Sequence, residues 1–208
     1  MYKCKLLAAF AAAIAVVLQV GFASPVHAQN LLYNNGPDGN AGYYNVNFGA
    51  ATVNSFTLNH SATISGVSLT LYTVDDRNTP QRLKWTITTE PLGGMVVDEG
   101  LVYLTLAGNP YPTRFQFFAF PMSFTIPNLR LPAGTYYLQI QDVMTRWLTY
   151  AFWAQSSDGN SQAYFQLIGP SGAGGISEVP SESFSIMGAW DSPQARSEIK
   201  PSAKQVVR

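Results

Sequence analysis

Leu131-Pro132-Ala133-Gly134-Thr135-Tyr136-Tyr137-Leu138-Gln139-Ile140-Gln141-Asp142 is the stretch from which the fold can be read. Pro132 fixes φ and Gly134 tolerates positive φ, so the segment opens with a turn. It then alternates. Tyr136, Leu138 and Ile140 share one face and Tyr137, Gln139 and Gln141 the other, which is the period of a half-buried strand. The spacing of Leu131, Gly134 and Tyr136 is that of a tyrosine corner. In that motif a Tyr near the start of a late sandwich strand returns its hydroxyl to the backbone of the preceding crossover. The stretch predicts the central late strand of an antiparallel sandwich.

Working outward, residues 53–58 and 62–74 alternate about a turn at Asn59-His60-Ser61, and Leu83, Trp85 and Ile87 line one face of the next strand. Residues 95–106 supply one or two strands, with a bend expected at Asp98-Glu99-Gly100. Residues 115–126 are strongly aromatic, and Pro121 among them implies an edge position or a bulge, because Pro cannot donate to a ladder. Residues 147–154, 163–168 and 183–187 read as the closing strands. Residues 29–51 are dense in turn formers and read as loop, and residues 169–175 as a flexible Gly-rich loop. About ten short strands, with no helical period beyond the N-terminal segment, predict an all-β fold: an antiparallel β-sandwich or jelly roll. Ser-Phe-Thr/Ser-Leu/Ile recurs at 55–58, 123–126 and 183–186 at unequal intervals, a shared strand pattern and not a repeat architecture.

Three segments follow from composition. Residues 1–28 read as a signal peptide: Lys3 and Lys5 precede an apolar run over 6–20, and Val26-His27-Ala28 sets up cleavage after Ala28. The run is short of the roughly 20 apolar residues that a bilayer span needs. Residues 29–188 read as the β-sandwich domain, and 189–208, with Pro193, Pro201 and four basic residues, as a disordered basic tail. Cleavage removes Cys4 and His27, leaving no Cys and only His60. Without Lys3 and Lys5, ten basic side chains face twelve acidic ones, a net charge of −2. A mildly acidic body argues against a nucleic-acid partner, which needs a basic face.

The same inventory narrows the chemistry. A Ser-His-Asp apparatus would have to use His60, which sits in a tight turn with no Gly-x-Ser-x-Gly elbow in the chain. Zinc would need Cys or several His. Gly169-x-x-Gly172-x-Gly174-Gly175 lacks the Lys and the following helix of a phosphate loop. The Asn and Asp residues between Asn34 and Gly42 do not fall at the spacing of a calcium loop, so turn chemistry accounts for them and no cofactor is expected. Asp142, Asp158, Glu178 and Glu182 could furnish the two carboxylates of a glycoside hydrolase, but nothing in their spacing selects a pair.

The aromatics are the more specific feature. Trp147, Tyr150, Phe152 and Trp153 fall within seven residues. Strand alternation places Trp147 and Trp153 opposite Tyr150 and Phe152. With Phe152 as the core residue, Trp153 and Trp147 face solvent, where aromatics stack on sugars or partner proteins. The competing arrangement covers both faces and buries all four. The candidate binding residues are Trp153, Trp147, Tyr150 and Asp158.

Several short motifs resemble those of secreted bacterial proteins of the PEP-CTERM class, a group without assigned activity. They are Asn35-Gly36-Pro37, Ser55-Phe56-Thr57-Leu58, Trp85-Thr86-Ile87 with Pro91-x-Gly93-Gly94, Ala133-Gly134-Thr135-Tyr136-Tyr137, Trp153, and Pro180-Ser181-Glu182-Ser183-Phe184-Ser185-Ile186-x-Gly188. The resemblance implies a sandwich exported to the cell surface or matrix. The chain departs from the class in two ways. Ala154-Gln155-Ser156-Ser157 intervene before Asp158 where members often carry acids, and no Pro-Glu-Pro tail, apolar span or Arg cluster follows Gly188. The expectation is therefore a secreted, non-enzymatic binding or surface-interaction module, released to periplasm or medium without a stable membrane anchor. Its expected partners are a glycan or a cell-surface or matrix protein. The alternative is a carboxylate-dependent hydrolase acting on extracellular polysaccharide.

Overall fold

The computed structural model describes residues 29–169 and 172–191. The expected signal segment (1–28) and residues 192–208 of the expected tail lie outside the described residues. Among the described residues fourteen strands follow one another: β1 (Asn30–Asn34), β2 (Asp38–Asn45), β3 (Ala50–Leu58), β4 (Ala62–Thr73), β5 (Pro80–Thr88), β6 (Val96–Tyr103) and β7 (Thr105–Leu106). The remainder are β8 (Tyr111–Pro112), β9 (Phe118–Leu131), β10 (Gly134–Thr145), β11 (Ala151–Ser156), β12 (Ala163–Gly169), β13 (Gly172–Val179) and β14 (Phe184–Trp190). No helix occurs among the described residues.

Two antiparallel sheets pack face to face. The first runs β13-β12-β3-β10-β5-β6, with β10 near its middle between β3 and β5. The second is built on β4, which pairs β9 along one side and both β14 and β11 along the other. β1 flanks β14, β2 flanks β11, and the short β7 and β8 lie on β9.

β10 behaves as its alternation requires. Tyr136, Leu138 and Ile140 are buried against the opposite sheet, and the Tyr136 hydroxyl donates to the Pro132 carbonyl at 3.1 Å, closing the corner. Asp142 then takes φ 52° where the pairing with β5 slips. Such a bulge shifts the facing of the strand, and Val143 and Thr145 turn inward. Phe56, Phe124 and Phe184, the aromatic of each Ser-Phe motif, are all buried in one core with Leu83, Trp85 and Ile87.

The structure departs from expectation in four places. Residues 29–51 hold two strands and the start of β3, because their Asn and Gly residues pair through backbone at the sheet margin; the turns are confined to Asn35-Gly36-Pro37, with Gly36 at φ 87°, and Asn47-Phe48-Gly49, with Gly49 at φ 81°. Asp98-Glu99-Gly100 lies inside β6, where Gly100 leaves room for an indole: a Cβ there would sit 2.9 Å from Trp85 Nε1. The Gly-rich segment belongs to a hairpin in which Gly169 pairs with Gly172. β14 runs on to Trp190 and the Asp191 carboxylate accepts from Arg130 at 2.9 Å, so the sandwich extends past residue 188. Pro121 occupies β9 opposite Thr70, with only the two-residue β7 and β8 on its outer side, an edge position as its missing N–H demands.

Tyr136→Phe removes the corner hydrogen bond and nothing else, so it is expected to lower stability by about 1 kcal/mol. Urea denaturation measures this, and an unchanged midpoint would show that the corner does not hold the crossover.

Candidate functional site

The four residues expected to bind do not converge. Trp153 is fully buried, and its indole N–H donates to the Ser183 carbonyl at 2.9 Å. This corrects the expectation that it faces solvent. β11 begins only at Ala151, and its facing is set by Ala151 and Trp153, which both turn into the core. Phe152 instead lies on the outer face, 4.8 Å from Tyr43 and 5.1 Å from Phe117. An indole fits the space between the sheets because a carbonyl meets its N–H, while Phe152 finds an aromatic cluster of its own. Trp147 and Tyr150 lie in the turn before β11 and are 47 % and 54 % exposed. The Arg77 guanidinium stands 5.5 Å over the Trp147 ring. Asp158 is exposed beyond the far end of β11, where its backbone N–H donates to Ser156 Oγ at 3.2 Å.

A concave site forms elsewhere, from a break in the second sheet. Leu69 of β4 pairs with Phe184 at the start of β14, and Leu71 pairs with Trp153 of β11, so Thr70 stands between two strands that share one side of β4. The chain crosses this break as the Asn35-Gly36-Pro37 turn between β1 and β2. The result is a groove of about 390 Å³ whose lining mixes Asn34, Asp38, Ser68 and Tyr111 with the apolar Pro121 and Met122.

Asp38 organises one end of it. Its Oδ1 accepts from the Asn40 backbone N–H at 2.7 Å and from the Tyr72 hydroxyl at 2.6 Å, and its Oδ2 accepts from the Tyr111 hydroxyl at 2.7 Å. Burial, then the hydrogen bond to Asp38 and its negative charge, push both phenols above their ordinary value, so both remain donors. Arg114 Nη2 donates to the Ala41 carbonyl at 3.0 Å, and Phe115 and Phe117 pack edge-on to Tyr43. Asp38 thereby ties β8 to β2, and Arg114, Phe115 and Phe117 hold the segment between β8 and β9 onto the same strand.

Behind the groove lies a polar nest. Glu182 has no exposed surface. Its Oε2 accepts from Asn54 Nδ2 at 2.5 Å, and its backbone N–H donates to Asn54 Oδ1 at 3.0 Å. Asn35 Nδ2 donates to the Glu182 carbonyl at 2.6 Å, and Asn35 Oδ1 accepts from the backbone N–H groups of Asn160 and Ser161. Ser161 Oγ donates to Asn54 Oδ1 at 3.1 Å. Glu182 Oε1 has no partner. Burial raises the Glu182 carboxyl well above the ordinary carboxylate range, against the opposing hydrogen bond from Asn54. Among the described residues no three His, Cys, Asp or Glu side chains come together to hold a metal ion.

Asp38 is read in the sequence as one more turn former in an Asn/Gly-rich stretch, and no local signal marks it. Glu182 carries a signal: in Glu182-Ser183-Phe184-Ser185-Ile186 it shares its face with Phe184 and Ile186, the core-facing positions of β14. No protein-family model and no curated protein matches the chain.

Asp38→Ala leaves the buried Tyr72 hydroxyl without its acceptor, which is expected to lower stability by about 1–3 kcal/mol in urea denaturation. A tyrosinate absorbance titration should also show Tyr111 ionising at lower pH in the variant, since the neighbouring charge is gone. Unchanged curves in both measurements would mean that Asp38 does not hold these phenols.

Proposed function

We propose that the protein is an exported, non-enzymatic binding module that takes a neutral glycan in the groove beside Asp38. The composition of the groove carries this reading. Ser68, Asn34 and Ser185 offer hydroxyl and amide groups to sugar hydroxyls, while Pro121 offers apolar surface to a pyranose face. Tyr111 stands at the groove with 38 % of its surface free. Asp38 is the one charged residue lining the groove, which disfavours phosphate and uronate ligands. Hydrolysis with two carboxylates needs a pair some 5–10 Å apart at one site. The groove supplies one carboxylate, Asp38, and Glu182 behind it has no exposed surface.

Export rests on the N-terminal segment, with Lys3 and Lys5 ahead of an apolar run and Ala28 at the cleavage position. No helix among the described residues is long and apolar enough to cross a membrane. N-terminal sequencing of the protein recovered from periplasm or medium is expected to begin at Gln29. Retention of the intact chain in membranes after a high-salt wash would overturn the export reading.

Binding is tested by glycan arrays and by pull-down on mannan, xylan and β-glucan. Tyr111→Ala is expected to weaken binding about tenfold or more, near 1.4 kcal/mol, and Trp147→Ala to leave it unchanged. Loss of binding in Trp147→Ala alone would move the site to the turn before β11, and a failure to bind any glycan would remove the reading.

A further inference from the structure

We propose that Glu182 is a proton-operated latch on the groove. With a proton on its carboxyl group, the Ser181-Glu182-Ser183 segment stays seated and the groove is formed. Loss of that proton unseats the segment and opens the groove wall. The proposal rests on the reading of the groove as the ligand site, which it supplies with a means of release.

The geometry joins nest and groove through the same residues. The Ser183 N–H donates to the Ala154 carbonyl at 2.8 Å, the Ser156 N–H to the Ser181 carbonyl at 2.9 Å, and Ser183 Oγ to the Gly36 carbonyl at 3.1 Å. The Asn35 N–H donates to the Phe184 carbonyl at 2.9 Å. Ser183, Phe184 and Ser185 line the groove on one side, and Asn34, Gly36 and Asp38 line it with them. Whatever displaces Glu182 from Asn54 therefore displaces a groove wall.

A carboxylate would gain little in that nest. Asn54 from β3 is its side-chain donor, Asn35 is committed to the Glu182 backbone, and Ser161 is committed to Asn54. The titratable groups near it are the phenols of Tyr33, bonded to Asn35, and Tyr44 on β2, neither of which supplies positive charge. The acids toward this end of the sandwich, Asp38 in the groove and Asp158 beyond β11, add negative charge. No cationic side chain is among the groups that act on Glu182, and its Oε1 is unpaired. Ionisation is relieved most cheaply by local opening of the segment into water, because none of Ser181, Glu182 and Ser183 places an apolar side chain in the core and hydrogen bonds to Ala154, Ser156 and Trp153 hold their backbone.

The direction with pH follows. The seated carboxyl group binds its proton more tightly than a solvated one, since burial raises it well above its ordinary value. The seated form is thus fully favoured below the ordinary carboxyl range and loses its advantage as pH rises through the seated-state value, by at most about tenfold per pH unit.

Hydrogen exchange on the mature chain, from about pH 5 to about pH 8, reads this directly as protection factors corrected for intrinsic rate. The amides of Asn35, Ser156 and Ser183 are expected to lose protection with rising pH relative to those of Leu138 and Ile140, and Glu182→Gln to abolish the difference. Equal slopes in the two proteins would overturn the latch. Should Glu182→Gln not fold, a carbon-13 titration of the wild-type Glu182 carboxyl decides: titration in the ordinary carboxylate range overturns it. Mannan, xylan and β-glucan binding across the same range is expected to weaken in wild type and stay flat in Glu182→Gln. If none of the three binds at any pH, the groove reading falls, while the exchange result still decides the latch.

Discussion

A carboxyl group without access to solvent must be satisfied by what the fold brings to it, and around Glu182 the fold brings the ends of several segments. Asn54 is the centre of that arrangement. It stands in β3 of one sheet and bonds both the side chain and the backbone of Glu182, in the lead-in to β14 of the other. Across the rest of the interior the two sheets meet through apolar side chains, which specify how much is buried better than they specify register. The contact between Asn54 and Glu182 is directional: one geometry pairs both Oε2 and the backbone N–H of Glu182 with the Asn54 amide. It therefore fixes where β14 begins, which turn crosses the break, and how Asn35 is held.

The tyrosine corner does comparable work for the first sheet, and it was legible in the sequence. Pro132, Gly134 and Tyr136 announce it by spacing, and the alternation through Ile140 follows because one face of β10 meets the opposite sheet. Legibility ended where parity changed. The bulge at Asp142 has no marker in composition, since an Asp at positive φ looks like any exposed Asp until the strand is seen. The facing of β11 was lost for a related reason. Phe152 and Trp153 are both good core residues, and what decides between them is the Ser183 carbonyl waiting 2.9 Å from the indole N–H, a partner thirty residues away.

The same limit explains why the candidate groove was not foreseen. Its parts come from β1, the turn after it, β2, β4, β8, β9 and β14, and no two adjacent segments of sequence contain it. Asp38 sits among residues whose composition says turn, and it does make an Asx turn with Asn40. Its second oxygen, which takes the Tyr111 hydroxyl, is what gives it a role in the groove. The exposed aromatics before β11 were more conspicuous and less informative. Trp147 and Tyr150 are placed by a buried amide framework: Asn78 Oδ1 accepts from the Trp147 N–H at 3.0 Å, and Asn47 Nδ2 donates to the carbonyls of Val143 and Thr149. They stand exposed at this turn, with Arg77 lying over the one indole.

Concavity on a sheet surface has a definite requirement. A pleated sheet with unbroken strands presents side chains in even rows, and a long strand beside β4 would lay its outward residues over Ser68 and Thr70. Here that strand is divided between β11 and β14, and the junction is filled from beneath by backbone and by the amide of Asn35 instead of from above by side chains. Dividing a strand leaves ladder groups unpaired, and in a buried setting each must find another partner. The Asn35, Asn54, Ser156 and Ser183 hydrogen bonds are those partners. The polar nest and the groove are thus two sides of one interruption: the sheet can be opened on its outer face because the network on its inner face closes it.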